Sequence, residues 1–416
     1  MQQHDHDIAI VGAGPVGLCL ARALALQGWR VALVERQAEA ALAEPAFDGR
    51  EIALTHASVR LLRELGVWEH IPAAEVYPLR TARVMDRDLA HEMRVVPEPG
   101  AGDRLGDLVA NSLIRRAAWL AVRQTPGIEL HAGATIDSVH AGEDEVRLQL
   151  RDGPLLRARL LVAADSRFSE TRRALGIDAD LHDFGKSMLV CRMRHEGRHE
   201  HAAWEWFGLG QTLALLPLSE HLASAVITLP GEQARQLAAL DEAAFAAELE
   251  RRYDRRLGRM DLAGSRHVYP LVATWARRFT GTRLALAGDA AVGMHPVTAH
   301  GFNLGLAGVE RLAGVAAIAM RQGRDPASPA LLAQYDRRHR RGCWPLFQAT
   351  RAVVGLYTDD RPPARWLRAA ALRAGGNLAP FRRMLATTLT DAGPVDPSPL
   401  QRLRAGLAQL RPGVSL

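Results

Sequence analysis

The sequence predicts an α/β protein with three parts: a Rossmann-like nucleotide-binding domain, an inserted and mostly antiparallel β-sheet domain, and a helical C-terminal region. Three observations predict it. Residues 7–35 read as a complete strand–turn–helix–strand unit around Gly12-Ala-Gly14-Pro-Val-Gly17. Residues 181–270 alternate or run apolar in short segments with turn signals between them, the pattern of paired strands. From residue 330 the chain is helical in pattern and rich in arginine, with Pro345, Pro362, Pro363 and Pro380 as breaks.

Asp7-Ile-Ala-Ile-Val11 is a short buried strand, residues 18–27 form a helix stopped by Gly28, and residues 30–34 form a second strand. In such a unit Gly12 permits the tight turn, Gly14 lets a pyrophosphate come close, and Gly17 lets the helix pack on the strand. Glu35-Arg36 ends the second strand, and an acid there accepts hydrogen bonds from a ribose, which favours FAD or NAD over NADP. Asp48-Gly-Arg50 leads into a helix over 57–65; Arg50 is either a surface charge or a contact to phosphate or flavin. Residues 79–85 and 91–96 read as strands that leave the nucleotide domain. Residues 108–123 read as a helix with Asn111 near its start, and 146–150 with 157–160 as a hairpin around Asp152-Gly153.

A buried strand, Leu160-Leu-Val-Ala-Ala, delivers Asp165, and Ser169 is placed to cap the helix that follows. Strands at 188–193, 203–207, 211–217 and 224–229, with one helix over 232–253, make up the inserted domain. His195-Glu-Gly-Arg-His199-Glu-His201 carries Gly197 between two strands and reads as a solvated turn rather than a metal site. The stretch around which the chain is organised is 284–305: a buried strand from Leu284 to Ala287, then Gly288-Asp289, a loop through Pro296, and a glycine-bearing approach, Gly301 and Gly305, to a helix ending near Gln322. Those glycines let backbone approach a flat ligand, and the helix start offers free N–H groups.

At 416 residues the chain can bury two or three cores, and 48% apolar with 24% charged residues is the balance of a globular protein. No apolar run reaches the roughly 20 residues that span a bilayer. The first residues, Met1-Gln-Gln-His-Asp-His, carry no signal pattern, so a cytoplasmic location is expected. Cys19, Cys191 and Cys343 are far apart and form no metal or disulfide pattern, and Cys19 reads as core. The net charge of +6 comes almost wholly from arginine spread through every segment. No aromatic-interleaved basic motif of a nucleic-acid reader accompanies it. The basic, apolar-studded tail is compatible with peripheral contact to an anionic membrane, with packing across the nucleotide domain, or with a homo-oligomer contact.

Gly12-Ala-Gly-Pro-Val-Gly17, Asp48-Gly-Arg50, the Asp165 segment and Gly288-Asp289-Ala-Ala with His295-Pro296 occur in the order found in aromatic-hydroxylase flavoproteins, which this chain resembles over residues 5–345. Among them it is most similar to the ubiquinone-biosynthesis hydroxylases, on Asp48-Gly-Arg-Glu-Ile-Ala-Leu, Leu213-Ala-Leu-Leu-Pro-Leu218, Thr228-Leu-Pro230, Tyr269-Pro-Leu and Asn303-Leu-Gly-Leu. Three positions depart from that pattern. Ser166 stands for the glycine of Asp-Gly, Val292 for the histidine of Gly-Asp-Ala-Ala-His, and Ala299-His300-Gly301 for Gly-Gln-Gly. The last two, with Ser166-Arg-Phe-Ser, point to the UbiM branch.

The resemblance implies one FAD, reduced by NAD(P)H or another donor, that reacts with dioxygen to a flavin hydroperoxide and hydroxylates an electron-rich prenylated phenol or quinol. No protein nucleophile is needed, since the cofactor carries the chemistry and the protein supplies placement and a dry pocket. The implied cofactor contacts are Gly12, Gly14, Gly17, Glu35, Arg36, Arg50, Asn111, Asp165, Asp289, Pro296, Gly301 and Asn303. His300, at the family glutamine position, either tunes a proton step or fills space. The expected division is an FAD-binding domain at 1–75, 99–180 and 271–328, a substrate domain at 76–98 and 181–270, and a helical region at 329–416. Other readings left open are a related flavoprotein with an unrelated aromatic substrate and a flavin-binding component of a ubiquinone-biosynthesis complex.

Overall fold

The computed structural model describes residues 5–86, 92–97, 102–208, 210–295 and 300–358. Two large sheets and a small one build it. In the eight-stranded sheet His6–Val11 lies between Val31–Glu35 and Leu155–Ala163, and all three run parallel. Ile128–Ala132 adds to one side and Leu284–Leu286 to the other, also parallel. Because this sheet is covered on both faces its strands are continuous apolar runs: Ile8, Ala9 and Ile10 have no exposed surface. Helix Pro15–Ala25 packs between Asn111–Arg123 and Gly301–Arg321.

The nine-stranded sheet is antiparallel except where Ala202–Gly208 runs parallel to Thr81–Asp86. Its longest strand, Ala179–His195, pairs with Leu222–Pro230 on one side and His267–Ala276 on the other, with an irregularity between Asp183 and Ser187. Helices Gly231–Ala239 and Glu242–Arg252 cover one face, where Phe245, Leu249 and Tyr253 pack on Trp204, Trp206 and Ile227. The other face looks toward the small sheet of Glu51–Leu54, Gly106–Ala110 and Tyr77–Leu79. Tyr269 donates from its hydroxyl to Asp48 O at 2.7 Å, and Arg192 pairs with the fully buried Glu51 carboxylate at 2.7 Å, so side chains rather than backbone join the two units.

The hairpin near Asp152-Gly153 and the Ser169 cap are present, the Ser169 oxygen accepting from Arg172 N at 2.9 Å. Five expectations need correction. Leu108 to Ala110 is strand, not helix: Gly106–Ala110 pairs on both edges, with Glu51–Leu54 and Tyr77–Leu79, and the helix starts at Asn111. Residues 79–85 are not one strand, because the chain changes sheet at Arg80. The single helix over 232–253 is two, since Leu240 turns extended and Asp241 caps the second by accepting from Ala244 N at 2.8 Å. The helix expected from Gly305 starts one turn earlier, at Gly301. Pro345 lies inside helix Pro329–Thr358, where the buried stripe Tyr335, His339, Cys343 and Phe347 at four-residue spacing holds both sides of it down. Pro362, Pro363 and Pro380 fall outside the described residues.

A sixth correction concerns the histidines. His195 and His199 are buried, with rings 5.2 Å apart, and bond to Gly197 O and Ser219 O at 2.8 Å each. Backbone carbonyls hold one ring nitrogen of each. Among the described residues no group of three or more His, Cys, Asp or Glu is placed to hold a metal ion.

Candidate active site

The first glycine turn is shaped by backbone collisions. Gly12 has φ +104°, and a Cβ there would stand 2.5 Å from Ala164 O; at Gly17 it would stand 1.9 Å from Gly12 O. Only glycine fits either place. Gly14 faces open space and is the N-cap of helix Pro15–Ala25, which has no side-chain cap, so its first N–H groups remain available. The Glu35 carboxylate is fixed at the strand end by Ala13 N at 2.7 Å and Gln37 N at 2.9 Å, with lone pairs left for another donor. Arg36 is exposed beside it.

Asp48, Arg50 and Asn111 come together although 63 residues separate the first from the last. Asp48 accepts from Arg50 Nη2 at 2.6 Å and from Asn111 Nδ2 at 2.7 Å, while Asn111 N donates to Arg50 O at 2.9 Å. Burial works against the Asp48 carboxylate, but its bonds to Arg50 and Asn111 outweigh that and hold its pKa below the ordinary value. The Arg50 guanidinium lies over the Tyr269 ring at 5.5 Å.

Asp165 is used internally. It accepts from Ser169 Oγ at 2.5 Å and from Thr171 N at 3.1 Å, and so sets the helix Glu170–Ala174. That helix carries Arg172, buried and donating to Ala290 O at 3.0 Å, a contact sequence reasoning missed because an arginine after a cap looks like surface charge. Ser166 takes φ +82°, a left-handed conformation that a glycine would adopt without strain. Asp289 pairs with Arg167 at 2.9 Å, and Arg167 donates in turn to Val272 O, tying the turn to the second sheet.

At the start of helix Gly301–Arg321, Gly301 faces open space and no side chain caps the first turn. Asn303 is already engaged, accepting from Thr55 N at 3.1 Å and donating to Ala53 O at 2.8 Å. His300 is buried at the N-cap. Pro296 lies outside the described residues. His295, not among the expected site residues, is buried with Phe184 edge-on at 4.8 Å; burial, then Lys186 and Arg167, push its pKa down to about 4, so it is neutral at pH 7. Phe184 also lines a cleft of about 760 Å³ with His182, Asp183, Gln348 and Arg351.

The two glycine-bearing turns meet at Val16. A Cβ on Gly305 would stand 2.6 Å from Val16 Cγ2, and one on Gly288 3.3 Å from Val16 Cγ1. The Gly12–Gly17 turn and the Gly288 and Gly305 positions therefore form one cradle around Val16. A family model described as FAD binding domain matches residues 5–350. The chain belongs to that family. Within it the chain is a ubiquinone-hydroxylase relative. It is 43% identical to ubiquinone hydroxylase UbiM of Neisseria meningitidis, over 92% of this chain and 84% of that protein. It is 34% identical to ubiquinone hydroxylase UbiL of Rhodospirillum rubrum, over 96% and 92%.

Among solved structures, p-nitrophenol 4-monooxygenase PnpA from Pseudomonas putida superposes with TM-score 0.74 at 19% identity, covering 94% of this chain and 99% of that one. Anhydrotetracycline hydroxylase OxyS from Streptomyces rimosus gives 0.72 at 23%, covering 94% and 77%. These likenesses establish the fold of an FAD-dependent monooxygenase. FAD is the cofactor, and the cradle fits it: a side chain at Gly12 or Gly17 would occupy the turn itself, while space is open at Gly14 and Gly301.

Proposed function

We propose that this protein hydroxylates the electron-rich ring of a prenylated phenol or quinol in ubiquinone biosynthesis, consuming dioxygen and a reduced nicotinamide or other electron donor. The observation that carries the reading is the cradle that Gly288 and Gly305 close on Val16. Bound FAD would supply the activation of dioxygen, one oxygen atom of which goes to the ring.

The chain's own residues do the rest. Gly12, Gly14 and the uncapped start of Pro15–Ala25 take the pyrophosphate. Glu35, braced by two backbone amides, receives the adenosine ribose, with Arg36 at its rim. Asp48 and Asn111 hold Arg50 toward the cofactor, Arg167 holds Asp289, and Asp165 sets the helix that brings Arg172 to Ala290 O. Gly301 and its amide border the ring system; Asn303 anchors that helix start to the 53–55 backbone. His295, neutral and packed on Phe184, helps keep water from the ring, and His300 fills the position that a glutamine takes in relatives.

The same reading divides the chain as expected from its sequence, with the cofactor held by the parallel-sheet unit and the substrate covered by the antiparallel one. An apolar substrate favours a cytoplasmic enzyme with peripheral membrane contact, working beside other enzymes of the pathway. The test is a deletion strain and the purified protein together. The protein should be yellow and bleach on reduction, and the strain should accumulate a prenylated precursor lacking one ring hydroxyl, read by mass spectrometry. A colourless protein that takes up no added flavin, or an unchanged quinone profile, refutes the proposal.

A further inference from the structure

The nine-stranded sheet carries a carboxyl, that of Glu205, with no hydrogen-bond or ion-pair partner among the described residues. On strand Ala202–Gly208, Trp204 and Trp206 point into the core beneath the two covering helices, so Glu205 between them projects from the opposite face. Its row across that face is Val84, Ala214, Val226 and Val190. Ala203 and Leu216 lie beside it and pack with the small sheet, while Val226 and Val190 pack with Tyr269. Glu205 is thus a carboxyl in an apolar row, on the face that Arg192 and Tyr269 fasten to the Asp48–Glu51 segment.

Glu205, Val84, Ala214, Val226, Ala203 and Leu216 all keep partial exposure. The Glu205 carboxyl has no hydrogen-bond or ion-pair partner among the described residues. Desolvation alone, with no neighbouring charge contributing, pushes its pKa up to about 8. A half-exposed, mostly apolar face with a carboxyl left unpartnered suits a mainly hydrophobic ligand that carries one hydroxyl.

We propose that Glu205 takes the proton of the substrate's ring hydroxyl. The O–H bond breaks, its electron pair stays on the ring oxygen, and the carboxylate becomes a carboxylic acid that returns the proton to water once product leaves. The anionic oxygen raises electron density at the ring carbons ortho and para to it, which are the positions that accept an electrophilic oxygen atom. This rests on the hydroxylase reading above. The ionisable groups around Glu205 are few. Asp86 lies two residues beyond Val84 on the same strand face, and Arg192, across the sheet, is committed to Glu51. Tyr253, on the covered side, donates from its hydroxyl to Ala214 O at 2.8 Å. None of the three contributes to the Glu205 shift.

The test uses flavin-loaded wild type, Glu205→Gln and Glu205→Ala with a short-chain prenylphenol and its methyl ether. Binding is read from the flavin absorbance, and turnover from substrate-dependent oxygen uptake across pH 6–9. Wild type should prefer the phenol over the ether by about 10-fold. Its kcat/KM should rise with pH through about 8, because the base acts only when unprotonated. In both variants the preference should shrink to about twofold or less, and kcat/KM should fall about 100-fold with that pH limb gone. The alanine variant gives the same comparison should the glutamine disturb folding. Variants that keep flavin, the phenol preference and the pH limb overturn the role of Glu205 and leave the hydroxylase reading standing. A flavin-loaded wild type that neither binds nor oxidises the phenol overturns the hydroxylase reading itself, and this inference with it.

Discussion

In the proposed site the two sheets contribute by different means. The parallel-sheet side is backbone: Gly12 and Gly17 leave no room for a side chain, Gly14 leaves no obstacle, and uncapped amides are the proposed binders. The antiparallel side is proposed to contribute side chains standing on one face, with Arg192 and Tyr269 as fasteners and Glu205 as a carboxyl unpartnered among the described residues. Backbone sites tolerate almost no substitution and are readable from glycine spacing. Side-chain sites can vary in chemistry while the strands stay put, which suits a half that must match a particular substrate.

The sharpest way to break the contrast is Gly17→Ala. Its Cβ would meet Gly12 O at 1.9 Å, an overlap with backbone that cannot rotate away. Flavin affinity should fall at least about 100-fold, seen as a colourless protein on purification; a yellow one would show that the turn is softer than its geometry. Arg192→Met addresses the other half. It leaves the Glu51 carboxylate buried without its partner and should cost about 3–5 kcal/mol in urea unfolding. Flavin should remain bound in the folded fraction, and its loss instead would mean that the fastener also shapes the cradle. The smallest effect is expected for Ser166→Gly. It relieves a left-handed serine at φ +82° but frees the unfolded chain, for a net gain of about 0.5–1 kcal/mol in the same assay. A loss of stability would mean that the Ser166 side chain makes a contact worth more than the strain.

Legibility in the sequence followed the same division. The GxGxxG unit, Glu35 and the Gly288-Asp289 turn stood out because each residue type has one physical reason to be there. Asn111 and Arg50 were legible through family likeness, and the structure brings them onto Asp48 as one group. What escaped were contacts that depend on which strands become neighbours. Val16 looked like any helix residue until Gly288 and Gly305 closed on it. Arg172 and His195 looked solvated, yet backbone oxygens far away or across a turn hold them in the interior. Glu205 sits in an ordinary alternating strand, and only the register with Val84 and Ala214 shows what surrounds it. Leu108 to Ala110 read as helix because the two edges that pair with Gly106–Ala110 come from segments more than 25 residues away in one case and more than 50 in the other.

The wedge of Val16 between Gly288 and Gly305 has a bearing on biogenesis. The diphosphate-gripping turn is translated first, but its lid is written nearly three hundred codons later. At about 5–20 residues per second a ribosome needs roughly 15–60 s to traverse that interval. A nascent chain during that time owns half a cradle, so cofactor capture belongs to the closing phase of synthesis, and premature termination anywhere before residue 305 yields a product unable to retain its flavin.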